Sequence, residues 1–334
     1  MKKTLLAVTI SALAIPALAL DPLPPEAGFS GVAALGAGGG RIESNFLAKV
    51  TGVDLGDDLI YETGAPDDIN IIVPVFQFNA GYTFANKTTR VRLGTTVESS
   101  LDFTANSVLA VRNNFDSLGN IEVAALLPST FPVKVWKNPY ATNQKRSSTQ
   151  HTSTGGRITW DKMFGTGLEM IGSVRKIDIG TELSGQGLGL DRSQQKLLDR
   201  EGDVNRFEVG YMFNFGQGQM LRPSVAYIDR DLNGRAMAQD GYELGLGYIL
   251  RSQNFSWLSR AVYQSFDGDK VNPLFSKTND ANIYLLASEV RFPNPFGWER
   301  WTVTGGVVWA DNDADIRFNQ SSVLMAVGRI ARSF

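Results

Sequence analysis

In the stretch RFEVGYMFNFGQGQ, Arg206 to Gln219, apolar and polar residues alternate. Phe207, Val209, Tyr211, Phe213 and Phe215 share one face of an extended strand, and Arg206, Glu208, Gly210, Met212 and Asn214 the other. This follows because successive side chains of a strand point to opposite sides. The same rhythm recurs along the chain, and little competes with it. A membrane helix needs roughly 20 consecutive apolar residues. Past the leader, the apolar runs are of the kind IIVPVF, Ile71 to Phe76, which a proline interrupts. Transmembrane helices are therefore excluded, and 34 glycines among short alternating segments point to all-β structure.

The pattern predicts strands over 29–41, 69–84, 88–99, 101–112, 120–135, 149–162, 168–179, 203–215, 220–232, 240–251, 255–267, 281–292, 300–311 and 315–334. The alternation is weakest over 88–112 and 120–135, which sets the range at 12–14 strands. Tight turns at FANKT (Phe84 to Thr88), FGTG (Phe164 to Gly167), GQGQ (Gly216 to Gln219), RSQNF and PNPFGWE interleave with longer connections at 42–68, 136–148, 180–202 and 268–280. Short turns at one end and long loops at the other are the pattern of a closed antiparallel transmembrane β-barrel.

Alternation alone does not tell lipid-out from core-in, since a soluble sheet also alternates. The aromatic residues separate the two. Phe84, Trp160, Phe213, Phe215, Tyr248, Trp257, Phe292, Trp301 and Phe334 stand near the short turns. Phe207, Tyr227, Tyr242, Tyr263 and Trp309 stand near the long loops. In WTVTGGVVW, Trp301 and Trp309 share a face, and a tilted strand sets them about 20 Å apart in height. Two interfacial girdles are expected, with the apolar faces toward lipid.

The segment MKKTLLAVTISALAIPALA has a basic start at Lys2 and Lys3, an apolar stretch and a small-residue site, Ala17-Leu18-Ala19. It reads as a secretory signal peptide over 1–19, leaving 20–334 as a single barrel domain. The segment VGRIARSF places Phe334 on an amphipathic strand. It resembles the C-terminal targeting signal of bacterial outer-membrane barrels, although Arg332 stands where those carry an apolar residue. The resemblance implies the outer membrane, its lipids and lipopolysaccharide, and recognition by the barrel-assembly machinery through Phe334.

A formal net charge of −2 gives no general attraction to nucleic acid. The absence of cysteine removes disulfide and thiol chemistry. No metal-ligand cluster, phosphate loop or other cofactor motif is present, so no metal or cofactor is expected. If the apolar face meets lipid, the opposite face lines the lumen. It carries Arg90, Arg92, Glu98, Arg157, Asp161, Arg206, Glu208, Arg222, Arg230, Glu243, Arg251, Arg260, Glu289 and Arg291. About fourteen strands can enclose a narrow aqueous path, and rings of charge tune what passes. The leading expectation is a porin-like channel for small hydrophilic solutes with mild anion preference. The rival is a structural or surface-interaction barrel whose charges pair across the interior and close it. An apolar lumen is disfavoured by the arginines.

Asp54 to Asp68 holds six carboxylates and no Lys or Arg, and Asp311, Asp313 and Asp315 form a second acidic group. Neither has EF-hand spacing, so solvated loop charge is expected, with divalent bridging to lipopolysaccharide as an intermediate reading. His151 and Ser153 resemble the His-x-Ser arrangement of outer-membrane phospholipases, but Thr154 follows the serine where that family has Asn-Gly. Ile158 and Trp160 facing lipid would turn His151, Ser153 and Arg157 inward, whereas a lipid hydrolase needs its site outside. Acid pairs such as Glu208 and Glu243 have nothing in the sequence to join them as a glycosidase site. No catalytic residue is assigned.

Four segments, EAGFSG (Glu26 to Gly31), VWKNPY (Val135 to Tyr140), ITWDKMFGTG (Ile158 to Gly167) and LDREGD (Leu198 to Asp203), resemble an uncharacterised family of Gram-negative outer-membrane proteins carrying a domain of unknown function. The resemblance spans nearly the whole barrel. It implies an outer-membrane β-barrel and defines no substrate or catalytic residue.

Overall fold

The computed structural model describes residues 23–56, 58–99, 104–129 and 133–334. The leader over 1–19 lies outside these residues. The strands are β1 (Gly28–Ser44), β2 (Leu47–Val50), β3 (Val53–Asp54), β4 (Asp68–Thr83), β5 (Thr89–Ser99), β6 (Thr104–Asn114), β7 (Asn120–Leu127), β8 (Val133–Trp136) and β9 (Ser148–Asp161). They continue with β10 (Leu168–Ile179), β11 (Gly202–Tyr211), β12 (Phe213–Gly216), β13 (Gln219–Leu232), β14 (Gln239–Arg251), β15 (Ser256–Gly268), β16 (Ala281–Pro293), β17 (Trp301–Ala314) and β18 (Ser321–Ser333). The one α-helix among the described residues, α1 (Arg192–Lys196), sits in a long loop.

The sheet closes as a 14-strand antiparallel barrel, at the upper end of the range expected from the pattern. β7 and β8 pair successive parts of β9 and form one interrupted stave, as do β11 and β12 along β13. Closure joins the first strand to the last, from Val32 opposite Ser333 to Ser44 opposite Ser321. The glycine run of β1 permits this seam: a Cβ on Gly36 or Gly40 would collide with the carbonyl of Gly328 or Leu324. Backbone bonds between Gly31 and Phe334 of 2.9 and 3.0 Å hold the lower end of the seam. In GQGQ the two residues between Gly216 and Gln219 both have positive φ, 51° at Gln217 and 78° at Gly218, which suits the twist of a tight hairpin.

Many outward side chains along the strands are apolar and exposed, including Ile72, Ile158, Val174, Leu244, Leu286 and Leu324. An apolar surface this continuous needs lipid or a partner to cover it. Aromatic pairs bound the band on both sides. Tyr82 with Phe84 (5.4 Å) and Tyr248 with Trp257 (5.5 Å) lie near the short turns. Tyr227 with Tyr242 (5.6 Å) and Tyr263 with Tyr284 (5.4 Å) lie nearer the long loops. Arg332, the departure from the terminal signature, places its guanidinium 5.5 Å from the Trp301 ring, so its charge sits at the rim.

One part of the wall is built differently. β4 pairs β1 over its whole length but β5 only from Asn79 to Thr83. Among the described residues no strand pairs the other edge of β4 above Phe78. Pro74, which has no N–H to give to a ladder, falls on this half-paired stretch. Behind it the β2–β3 hairpin folds inward and packs Leu47, Val50 and Leu55 against Ile71, Val73 and Val75.

Candidate functional site in the barrel interior

The inward parity of the strands brings charge together in the lower half of the interior, toward the short turns. On β11, Glu208 is buried beside Arg206, while Phe207 on the opposite face is exposed. Arg206 also reaches Glu243 of β14 at 2.8 Å, and Arg260 of β15 meets the same carboxylate at 3.1 Å. Gln264 donates to the second oxygen of Glu243 at 2.7 Å. Arg222 of β13 joins Glu208 to Glu169 of β10, each at 2.7 Å. Farther round, Glu289 of β16 accepts from Arg291 and from Arg329 of β18, and Arg329 donates to Gln77 of β4 at 2.9 Å. Arg92 of β5 grips Glu122 of β7 with two bonds, at 3.0 and 2.5 Å. Arg112 of β6 contacts Asp161 of β9 at 2.7 Å, and Asn120 donates to the other oxygen of Asp161.

Each of these pairs joins staves no more than two apart, so together they form a belt running along the wall. The belt has a polarity toward the lumen. Glu289 is 4% exposed while Arg291 is 43%, and Glu208 is 3% exposed against 22% for Arg206. The carboxylates lie against the wall and the guanidiniums lie over them. Arg112, Arg222 and Arg329 differ, being at least about as buried as their partners, so the layering is carried by Arg92, Arg206, Arg260 and Arg291. A flat fork of five N–H donors lets arginine cover a carboxylate and still present cationic edges to a solute.

The remaining sequence candidates fall at the margins. Arg90 donates to the carbonyl of Ser30 at 3.2 Å near the short-turn mouth, and Arg251 is exposed at that mouth. Arg157 shares the inward parity of buried Ser153 and Thr159. Glu98 is on β5, but its side chain lies outside the described residues. Arg112, Glu122, Glu169 and Arg329 were missed, although each has the inward parity of its strand. In the acidic loop, Asp54 and Asp58 meet Lys49 and Lys145 at 2.5 and 3.3 Å, and Asp57 lies outside the described residues. Among the described residues no three acids or histidines gather as a metal site.

The upper half of the interior has different chemistry, which the arginine count did not foretell. Long loops fold over the mouth and pool apolar side chains into one cluster. Tyr140, Leu198, Met237, Ile316 and Phe318 are buried there, with Phe46, Ile60, Leu190 and Phe275 packed against them. Tyr140 is at its centre, its ring 5.1 Å from Phe318, 6.0 Å from Phe275 and 6.1 Å from Phe46. Burial pushes its hydroxyl pKa up, and the hydroxyl lies 3.5 Å from the Met237 sulfur. Arg200 ties two loops together, bonding Glu182 at 2.7 Å and the Trp136 carbonyl at 2.8 Å. Asp191 caps α1, accepting from the backbone of Ser193 and Gln194, and its bond from the Ser193 side chain holds its carboxyl low.

Beneath this cap lies a chamber of about 200 Å³, with Leu47, Ile179, Leu232, Met237 and Ile283 on its apolar side. His151 faces this chamber, and Ser153 is buried below it with its carbonyl accepting from Asn106 at 2.6 Å. Both residues point inward, away from bilayer lipid.

A closed barrel with an apolar outer band, two aromatic girdles and a charged, capped interior is an outer-membrane β-barrel. Within that class, the chain belongs to the family described as protein of unknown function (DUF2860), whose model matches residues 28–331. No curated protein matches the sequence. Among solved structures, the outer-membrane channel DcaP of Acinetobacter baumannii is similar over 92% of this chain and 98% of its own, at 11% identity and a TM-score of 0.44. A Pseudomonas aeruginosa FadL homologue covers 92% and 90%, at 8% identity and a TM-score of 0.43. An anion-selective porin from Comamonas acidovorans covers 92% and 100%, at 8% identity and a TM-score of 0.39. Likenesses this distant carry no argument about what this barrel does.

Proposed function

We propose that the protein is an outer-membrane channel for small hydrophilic solutes that prefers anions and is closed at rest by its loop cap. The observation that supports this best is the layering of the belt, carboxylates against the wall and arginines toward the lumen. Pairing leaves the belt's seven arginines one positive charge ahead of its six carboxylates, and the charge is unevenly placed. A solute passing the belt meets guanidinium edges first, and in a narrow low-dielectric passage the nearest charges weigh most. The cap accounts for closure, because opening it exposes an apolar cluster to water.

Purified protein in a planar bilayer under a salt gradient tests the reading. Channel events with a reversal potential on the anion side are expected, and cation selectivity would overturn it. The second reading is a barrel that serves the surface through its loops and never conducts. The buried cap favours it, and the absence of any current, including from a cap-destabilised variant, would establish it.

A further inference from the structure

We propose that the chamber beneath the cap is a binding site for a compact, mainly apolar molecule bearing a hydroxyl or N–H head group. One wall of the chamber is a ledge of amides, three of which already donate one N–H to a neighbour. Asn319 Nδ2 donates to Asn279 Oδ1 at 2.6 Å, and Asn312 Nδ2 donates to the Asn319 carbonyl at 2.9 Å. Gln239 Nε2 donates to the Asn279 carbonyl. This leaves Oδ1 of Asn312 and of Asn319 buried with no hydrogen-bond partner, and Asn319 is only 6% exposed. An unmet buried acceptor is costly, and both oxygens have almost no exposed area, so a donating group that shifts the ledge enough to reach either one is favoured.

The rest of the chamber narrows the class. The apolar side, Leu47, Leu232, Met237 and Ile283, offers a guest no polar partner, while Ser44, His151 and Ser321 also line the chamber. The two nearby arginines are engaged: Arg200 with Glu182, and Arg230 with Gln239 at 3.3 Å and over the Phe266 ring at 4.4 Å. A carboxylate would set negative charge against the free amide oxygens. A bare hydrocarbon would leave those oxygens unmet. A volume of about 200 Å³ has room for about seven waters at roughly 30 Å³ each, which a molecule of roughly ten non-hydrogen atoms would displace. Such a guest matches the apolar wall with its body and the ledge with its head. It is a different solute class from the ions that the belt favours, and the inference does not rest on the channel reading.

The test titrates the full-length barrel in detergent with 1-naphthol, naphthalene and 1-naphthoate, following ligand fluorescence. Saturable binding of 1-naphthol about tenfold or more tighter than either analogue is expected, a difference of about 1.4 kcal/mol. Asn319→Leu and Asn312→Leu should each erase much of the advantage over naphthalene, and Asn312→Leu serves alone if Asn319→Leu fails to fold. Leu232→Trp, which fills the apolar side, should abolish 1-naphthol binding in a barrel that still unfolds cooperatively. No saturable 1-naphthol binding, equal affinity for naphthalene, tighter naphthoate, or indifference to Leu232→Trp would each overturn the proposal. The reversal potential in bilayers reports on the belt alone, so failure of the chamber and failure of the channel are told apart.

Discussion

The two halves of the interior obey one parity rule and yet hold opposite chemistry. In the lower half the wall has only itself to pack against, and inward positions carry charges that find partners within two staves, as Arg92 finds Glu122 and Arg329 finds Glu289. In the upper half the loops fold back and bring apolar groups of their own. The wall answers with Ile71, Val73 and Val75 beneath the β2–β3 hairpin, and with Val204, Ile228, Phe266 and Ile283 on the other side. The chemistry of an inward residue therefore reports what shares the lumen at that height. An ionic belt holds position through directional bonds between rigid strands. An apolar cap holds loops by burial, which is non-directional and can be opened as a unit.

Breaking the belt should give the largest effect. Glu243→Leu removes the shared partner of Arg206, Arg260 and Gln264. Arg206 keeps Glu208, but Arg260 loses its carboxylate partner, and stranding a buried cation in this way costs about 3–5 kcal/mol. A lower denaturant midpoint of the folded barrel is expected, and any channels formed should be more anion-selective than the parent. An unchanged midpoint would show that the belt is not held by this carboxylate.

The cap should fail more locally. Leu198 is fully buried in the loop cluster, and Leu198→Ala should remove roughly 2–5 kcal/mol of packing. Because the loss lies in loops, the barrel midpoint should move little while the open probability in bilayers rises and the reversal potential stays put. A shifted reversal potential would mean that the cap and not the belt selects ions. A smaller effect comes from Arg291, which is half-exposed toward the lumen over Glu289. Arg291→Gln should cost under about 1 kcal/mol, as exposed ion pairs do, yet move the reversal potential toward the cation side.

Much of the lower half was legible from residue spacing. Period two placed Arg206 and Glu208 inward and Phe207 outward without any structure, and the strand pattern led to 12–14 staves, of which the barrel has 14. Which charge meets which was not legible, because Glu243 lies 37 residues from Arg206 and stave adjacency is set only by closure. The cap was missed for a different reason. Loops have no period, so Tyr140 and Leu198 give no pattern to read, and Phe318 fell in the strand expected over 315–334, whereas β18 begins at Ser321 after a turn over Arg317–Asn319. The available signal was their composition, since large apolar residues are out of place in solvated loops. The segments VWKNPY and LDREGD, singled out for their resemblance, supply Tyr140, Leu198 and Arg200 to that cap.

The last expected effect is one of pH, absent near neutrality, and it separates the two halves cleanly because arginine stays charged throughout the accessible range. Burial raises the Tyr140 hydroxyl pKa in the closed cap, with Arg200 nearby opposing that shift. In opened loops the same hydroxyl ionises at the ordinary tyrosine value of about 10. The closed state therefore holds its proton more tightly, and the contribution of Tyr140 is fully present below pH of about 10. Above it the open state releases the proton and gains, by up to about 1.4 kcal/mol for each pH unit. Open probability should accordingly rise as pH climbs past about 10, and Tyr140→Phe, which keeps the ring contacts with Phe46 and Phe318, should flatten the rise. A variant that opens with pH as the parent does would place the alkaline response elsewhere in the loops and leave the cap held by packing alone.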